Sequence, residues 1–164
     1  MIIINDTNIW IDLKYTNLLD EVFQLPYEIA IPNILFNDEL KEKDGDLLEE
    51  RGVKILEMTD EEVMDTVVLS RDTNKVSFND LTTLVVARKR NYVLVTGDGN
   101  LRKMASSYNI ELRGTLWLLD ELVKYEIISF ETAIEACEKL LASTRRLPKI
   151  ELQKRIVSWK QILL

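Results

Sequence analysis

Histidine is absent from the 164-residue sequence, and cysteine occurs once, as Cys137. Without imidazole, the chain has no Ser-His-Asp or Cys-His nucleophile system, no histidine general acid and no zinc or iron site that needs histidine. A single cysteine forms no disulfide within the chain and no cysteine-cluster metal site. Any chemistry of this chain must therefore come from carboxylates, hydroxyls, amides and cations.

Glycine and proline are also scarce, with five and three residues, and long apolar runs are missing. This composition leaves no room for a long linker, and a chain of this length with 46% hydrophobic residues folds as one compact domain. The sequence shows neither the basic leader and apolar core of a signal peptide nor the roughly 18 apolar residues of a membrane span. We therefore expect a cytoplasmic protein that binds no membrane and keeps its cysteine reduced.

Acidic residues outnumber basic residues by 28 to 21, which gives a net charge of −7. The chain as a whole is thus no polycation. The charge is unevenly spread, however: residues 38–65 carry a net −8, whereas residues 88–113 carry +4 and residues 143–164 carry +5. Each basic segment, taken alone, is most simply a solvated face. Alternatively, both segments lie beside one groove and bind phosphates there.

Short apolar runs alternate with amphipathic stretches, a pattern that predicts an α/β domain with a parallel sheet. A T-x-x-E capping box at Thr59 and Glu62 predicts one helix start, and Pro32 and Pro148 are placed to begin two others. The predicted strands are 2–4, 28–31, 53–56, 93–96 and a short segment within 112–118. The predicted helices of this part of the chain are 33–43, 60–71, 77–90 and 100–107.

Residues 119–164 are predicted to be purely helical, as an extension of a core formed by residues 1–118 within one domain. Cys137 lies on an apolar helix face, which predicts a buried and unreactive thiol. The last helix has an apolar stripe at Leu152, Ile156, Trp159 and Leu163. The extension packs on the core, pairs two subunits in a homodimer or offers a groove to a partner helix, and core packing is the simplest of the three.

Four acidic side chains occupy positions where functional groups gather in α/β proteins. Asp6 directly follows the first predicted strand, and Asp98 ends the fourth. Glu39 lies on the helix after the second strand, and Asp80 lies in the first turn of a later helix. Open parallel sheets bind ligands outside the carboxyl ends of their strands, where the strand order reverses. The four carboxylates are therefore predicted to form one basin of negative charge.

Carboxylates a few ångströms apart repel one another unless a cation neutralises them. The four motifs contain no histidine or basic residue, so a divalent cation is the natural counter-ion, and oxygen ligands suit Mg²⁺ or Mn²⁺. Mg²⁺ typically takes one or two carboxylates together with phosphate oxygens of a substrate. Such an ion activates water and stabilises a leaving oxygen, so the basin predicts phosphodiester chemistry.

Each acid also has a purely structural explanation. Asp6 is placed to cap a helix that begins at the next residue, Asp80 fits an S-x-x-D capping box, and Asp98 stands between two glycines of a turn. The sequence does not decide between Glu39 and its neighbour Asp38. Consecutive residues of an α-helix point about 100° apart, so one of the two should face the basin. The joint arrangement of the acids supports a site better than any one of them does.

Four motifs give the sequence a resemblance to the PIN-domain ribonucleases over about residues 1–118. In chain order they are I-I-N-D-T-N at the start, E-L after the second strand, S-x-x-D leading to Val86 and Ala87, and V-L-V-T-G-D at the end of the fourth strand. The first and last motifs are the more specific, and the E-L pair is weak.

The resemblance implies a three-layer α/β/α sandwich around a mainly parallel, doubly wound sheet. It implies a site for Mg²⁺ or Mn²⁺ made by Asp6, Glu39, Asp80 and Asp98. It implies supporting polar roles for Thr7, Asn8 and Thr96. Relatives include toxins of bacterial toxin–antitoxin pairs, which cut RNA and are silenced by a small antitoxin protein. All four acids are present here, which argues against the relatives that have lost them and serve as scaffolds.

The leading hypothesis is accordingly a metal-dependent endoribonuclease that leaves a 5′-phosphate and a 3′-hydroxyl, with a toxin as its expected role. The candidates for binding the RNA backbone are Arg88, Lys89, Arg90, Arg102 and Lys103. A catalytically silent PIN-like module that binds RNA or protein is the main alternative. A receiver-like or phosphatase domain with an acceptor aspartate is disfavoured, because N-D-T-N contains one acid where a D-x-D motif needs two.

Overall fold

Five parallel strands form the sheet of the protein, which a computed structural model describes from Met1 to Leu164. The strands are β1 (Ile2–Asn5), β2 (Glu28–Pro32), β3 (Lys54–Leu56), β4 (Val93–Val95) and β5 (Leu112–Arg113). Their order is β3-β2-β1-β4-β5, and every neighbouring pair is parallel. The predicted α/β class with a parallel sheet is confirmed.

Helices connect successive strands and make up the last third of the chain. They are α1 (Thr7–Tyr15), α2 (Leu19–Val22), α3 (Asn33–Leu35), α4 (Lys41–Arg51), α5 (Asp60–Ser70), α6 (Phe78–Arg90), α7 (Gly99–Ser106), α8 (Thr115–Lys124), α9 (Phe130–Ala142) and α10 (Lys149–Ile162). A π-helical turn, Phe36–Leu40, joins α3 to α4. None of these helices is both long enough and apolar enough to cross a membrane.

Two helix boundaries differ from the prediction. The helix expected to end near residue 43 continues to Arg51, because Gly52 with φ of 99° is the residue that closes it. The many charged residues of α4 hid its apolar positions. The helix expected from about residue 119 begins at Thr115, which leaves β5 only two residues long. The capping box of Thr59 and Glu62 forms as predicted.

Strand side chains alternate between the two faces of the sheet, as the two-residue period of a β-strand requires. Ile3 and Val95 belong to a larger hydrophobic core that includes side chains of α1, α8, α9 and α10. Ile4 and Leu94 belong to a smaller core that includes side chains of α6 and α7. Helices therefore cover both faces, and the protein is a three-layer α/β/α sandwich.

The strand order reverses between β1 and β4, which lie side by side at the centre of the sheet. The chain runs outward from β1 through β2 to β3 and then returns to β4 on the other side of β1. Asn5 pairs with Val95, so both strands end at the same level. Asp6 and Thr96 are the next residues, and they therefore stand where doubly wound sheets bind ligands.

Side chains of the three C-terminal helices, α8, α9 and α10, form part of the larger core, which also contains Ile3 of β1. Cys137 is fully buried there, and burial raises the pKa of its thiol to about 12, as expected for an unreactive cysteine. Leu152, Ile156 and Trp159 are buried as predicted. Leu163 is 44% exposed and does not continue the stripe, because α10 ends at Ile162.

Candidate functional site

Asp6 is a fully buried carboxylate at the carboxyl end of β1. Its oxygens accept hydrogen bonds from Ile9 N, at 3.1 Å, and from the Thr96 hydroxyl, so it does cap α1. Burial raises the pKa of Asp6 to about 7 against the lowering effect of these hydrogen bonds, and the nearby charges of Asp80 and Asp98 raise it further. An ionised carboxylate in such a place needs a positive partner.

Asp98 lies at the end of the neighbouring strand and is joined to Asp6 through Thr96. The Thr96 hydroxyl donates to Asp6 and accepts from Asp98 N at 3.1 Å. Asp98 caps α7 by accepting from Leu101 N at 2.9 Å. Both aspartates therefore cap helices, as their purely structural explanation predicted. They also lie together at one edge of the sheet, so capping does not exclude a role in a site.

Asp80 reaches the same region from the first turn of α6. Ser77 caps this helix by accepting from Asp80 N at 3.1 Å, but the return bond that would complete a capping box is not formed. Burial raises the pKa of Asp80, a hydrogen bond with Ser77 offsets part of this, and the charges of Glu39 and Asp98 raise it again. Capping alone therefore does not explain the position of the Asp80 carboxylate.

Glu39 rather than Asp38 faces the site. Thr7, the residue after Asp6, donates its hydroxyl hydrogen to Glu39 Oε1 at 3.1 Å, whereas Asp38 is exposed. Both acids lie in the π-helical turn, whose wider backbone the sequence did not indicate. Such turns occur often at functional sites.

The four acids share one electrostatic environment without any basic partner. The charges of Asp80 and Asp98 raise the pKa of Asp6, and the charges of Glu39 and Asp98 raise the pKa of Asp80. None of the four forms an ion pair, although ion pairs are common elsewhere in the molecule. The N-termini of α1, α6 and α7 bring partial positive charge to the same edge.

The donor chemistry of these residues fits a hard divalent cation. All the donors are oxygen atoms, and Asp6 is buried without a basic side chain beside it. No three acidic or cysteine side chains are placed to hold one metal ion among them. Mg²⁺ binds one or two carboxylates directly and keeps several waters, so it does not require such a cage.

Comparison with known protein families identifies the family of this domain. A family model described as a PIN domain matches residues 2–161. The chain belongs to the PIN-domain family. PIN domains are generally nucleases that use divalent metal ions and act on nucleic acid, and this class of function agrees with the acidic edge of the sheet. The match includes α8, α9 and all but the last residue of α10, beyond the part of the chain that carries the four motifs. No curated protein matches the sequence.

A cleft of about 740 Å³ opens beside Asp98 in this PIN domain. Its lining includes Asn8 of α1, Lys103 of α7, and Arg145 and Arg146 of the loop between α9 and α10. Both basic segments of the sequence therefore contribute side chains to the same groove, next to Asp98.

Three of the five cations predicted to bind RNA lie at the far end of α6 from Asp80, roughly 13 Å along the helix axis. They are Arg88, Lys89 and Arg90. Lys89 and Arg90 form ion pairs of 2.6 to 2.9 Å with acids of α5, and Arg88 lies 4.2 Å from the ring centre of Tyr108. The structure does not bring these three residues to the site. Cations at a helix C-terminus are stabilised by the helix dipole, which accounts for them without a ligand.

The other two predicted cations have different surroundings. Arg102 donates from Nη1 to the carbonyl oxygens of Thr96 and Arg113, at 2.8 and 3.1 Å, and so fastens the turn after β4 to β5. Lys103 is exposed, forms no ion pair and lines the cleft. Of the five, Lys103 is the one placed to contact a phosphate in the cleft.

Asp12 and its partner Arg145 are functional-site neighbours that the sequence did not predict. Asp12 is buried on the inner face of α1, where it pairs with Arg145 at 2.7 Å and accepts from the Thr115 hydroxyl at 2.7 Å. Arg145 also donates to the carbonyl oxygen of Asn8 at 3.2 Å. An acid among the apolar positions of α1 was a signal for Asp12, but nothing local identifies a partner so far along the chain.

We expect Asp12→Ala to lower the free energy of unfolding by about 3 kcal/mol, because it leaves a half-buried guanidinium and a buried hydroxyl without their acceptor. Urea denaturation measures the change. Lys14→Ala is the control, since it removes an exposed ion pair with Asp44 from the same helix and should cost less than about 1 kcal/mol. Equal losses in the two variants would contradict a structural role for Asp12.

Proposed function

We propose that this PIN domain is a divalent-metal-dependent endoribonuclease. The observation that carries the proposal is the convergence of four carboxylates, without any basic partner, at the point where the strand order reverses. Family membership supports a nuclease of this general type. RNA as the substrate and hydrolysis as the reaction are the finer steps that we propose here.

The carboxylates of the site would hold the metal ion. Asp6, Asp80 and Asp98 are the proposed ligands, and Glu39 joins them from the π-helical turn. Mg²⁺ or Mn²⁺ supplies Lewis-acid activation of water and neutralises charge at the phosphoryl group when it is bound. The Thr96 hydroxyl keeps the two strand-end aspartates in a fixed relation.

Substrate phosphates would enter the cleft between α7 and the loop that precedes α10. Lys103 is the proposed backbone contact on the α7 side, next to Asp98. The net negative charge of the chain does not oppose this. Residues 38–65, with a net charge of −8, account for it, and the cleft is lined by cations from two other segments.

RNA cleavage with and without metal tests the proposal. We expect a labelled single-stranded RNA to be cut in Mg²⁺ or Mn²⁺ and to remain intact in EDTA, with product ends carrying 5′-phosphate and 3′-hydroxyl groups. Cleavage that persists in EDTA, or that leaves 2′,3′-cyclic phosphate ends, would contradict it.

A silent PIN-like module that binds RNA or protein is the second candidate. It is favoured by the lack of three carboxylates placed to hold one ion together. Calorimetric titration with Mn²⁺ separates the two candidates. Heat above background supports the nuclease, whereas its absence together with intact RNA supports the silent module.

We propose a toxin of a toxin–antitoxin pair as the physiological role, on the strength of the resemblance in the four motifs. A small antitoxin protein is then the expected partner, and a homodimer remains a prediction. Expression of the wild-type chain should arrest bacterial growth, whereas expression of Asp98→Asn should not. Equal growth of both cultures would argue for a nuclease of RNA processing instead.

A further inference from the structure

A second cavity, of about 380 Å³, adjoins the cleft on the β5 side. We call it the side cavity, and its lining includes Arg102, Leu116, Trp117, Arg146, Leu147 and Pro148. Gly97, Arg146 and Leu147 line the cleft as well as the side cavity. A chain-like ligand in the cleft can therefore continue into the side cavity past Arg146.

The walls of the side cavity combine apolar surface with guanidinium groups and contain no carboxylate. Trp117, Leu116 and Leu147 provide the apolar part, and Trp117 is held in place by stacking on Tyr27 with ring centres 5.6 Å apart. Such walls suit a flat, mostly apolar ring attached to an anion. They do not suit a metal ion or a cationic ligand, which would meet two arginines and no acid.

Two adjacent arginines of the loop between α9 and α10 have different roles. Arg145 is fixed by its ion pair with Asp12, and its carbonyl oxygen accepts from Leu147 N at 3.1 Å, so the backbone of the loop is anchored. Arg146 is exposed and forms no ion pair, and it stands between the cleft and the side cavity. Its guanidinium is thus available to a phosphate at the junction of the two spaces.

We propose that the side cavity binds the base of a nucleotide next to the cleaved bond of a single-stranded RNA, and that Arg146 binds the phosphate of that nucleotide. The proposal rests on the nuclease function proposed above and adds a base-binding subsite to it. A base must leave its stack to enter the cavity, and paired RNA does not present such a base. The side cavity therefore selects single strands.

Kinetics on two substrates test this site. Gly114 lines the side cavity, and a Cβ there would be in ordinary contact with Arg102 and with the Thr96 carbonyl oxygen, at 3.5 and 3.6 Å. Gly114→Leu should therefore fill the cavity, whereas Gly114→Ala should leave it open. We expect Gly114→Leu to lower kcat/KM for an RNA oligonucleotide about 10-fold or more, the loss that goes with one base contact. Its cleavage of an abasic oligonucleotide of the same length, which offers no ring to the cavity, should stay unchanged.

Arg146→Gln should lower kcat/KM for the RNA oligonucleotide by about 10-fold, the loss of one charged phosphate contact. Lys149→Gln is its matched control, since Lys149 is an exposed cation three residues away that lines neither space. Wild-type RNA kinetics in Gly114→Leu or Arg146→Gln would overturn the proposal. Equal losses on both substrates in Gly114→Leu would do so too.

Binding without metal gives a readout that does not need activity. Titration of the metal-free protein with adenosine 5′-monophosphate should shift the indole N–H signal of Trp117 and leave those of the buried Trp10 and Trp159 in place. Gly114→Leu should abolish the shift. Arg146→Gln should weaken the binding of the nucleotide by about 10-fold without changing the binding of adenosine, which lacks the phosphate.

The two experiments separate the site from the nuclease function. No shift of the Trp117 signal at millimolar nucleotide overturns the base site, whatever the kinetics show. A shift together with no hydrolysis of either substrate by the wild type supports the base site and contradicts the nuclease function.

Discussion

Asp6→Asn should lower metal-dependent RNA cleavage by more than about 100-fold and leave the fold intact. Loss of a residue that only supports a metal ligand costs about 10- to 100-fold, and loss of a proposed ligand charge should cost more. Asparagine has the same shape and caps a helix as well as aspartate does, so it can still accept from Ile9 N. Initial rates on a labelled RNA at saturating Mn²⁺ measure the effect.

Asp38→Asn is the matched control for this experiment. It removes the same charge from an exposed acid next to Glu39, and it should leave the rate within about twofold, because surface substitutions away from a site have small effects. Circular dichroism of both variants should match that of the wild type. Full metal-dependent activity of Asp6→Asn would remove Asp6 from the site and with it the proposed chemistry.

The parts of the site that could be predicted are those set by local sequence. A β-branched run followed by an acid places Asp6 at a strand end, and V-T-G-D does the same for Asp98, because a buried strand ends where polar residues begin. The parallel arrangement then brings the two ends to one edge. Glu39 and Asp38 could not be separated from sequence, since their orientation depends on a π-helical turn with no recognised sequence signal.

The parts that could not be predicted depend on contacts between distant segments. The cations of α6 form one basic run in the sequence, yet acids of α5 pair with two of them and the helix carries all three away from Asp80. Conversely, Arg145 and Arg146 reach the cleft only because the packing of α9 and α10 delivers their loop to α1. Charge clusters in a sequence therefore indicated two basic segments but not which members face the acids.

The burial that makes Asp6 suitable for a cation also makes it costly in the metal-free protein. Its pKa is about 7 in the folded state, against the ordinary value of 3.8. Between these values the folded protein keeps a proton that the unfolded chain has released, so the free energy of unfolding falls as the pH rises from about 4 to about 7. The raised pKa of Asp80 acts in the same direction. No histidine titrates in this range to obscure the effect.

Comparison with Asp6→Asn isolates the contribution of this one carboxylate. The amide is neutral at every pH, so the stability advantage of the variant over the wild type in EDTA should grow by about 2 to 3 kcal/mol between pH 5 and pH 8. Urea denaturation at the two pH values measures this change. A stability difference between variant and wild type that is the same at both pH values would contradict the raised pKa of Asp6. Mn²⁺ at pH 8 should then reverse the order of stability. An ion that binds only the folded wild type adds about 4.1 kcal/mol at 1,000 times its Kd, which exceeds the advantage of the variant, and the variant has lost the charge that the ion neutralises.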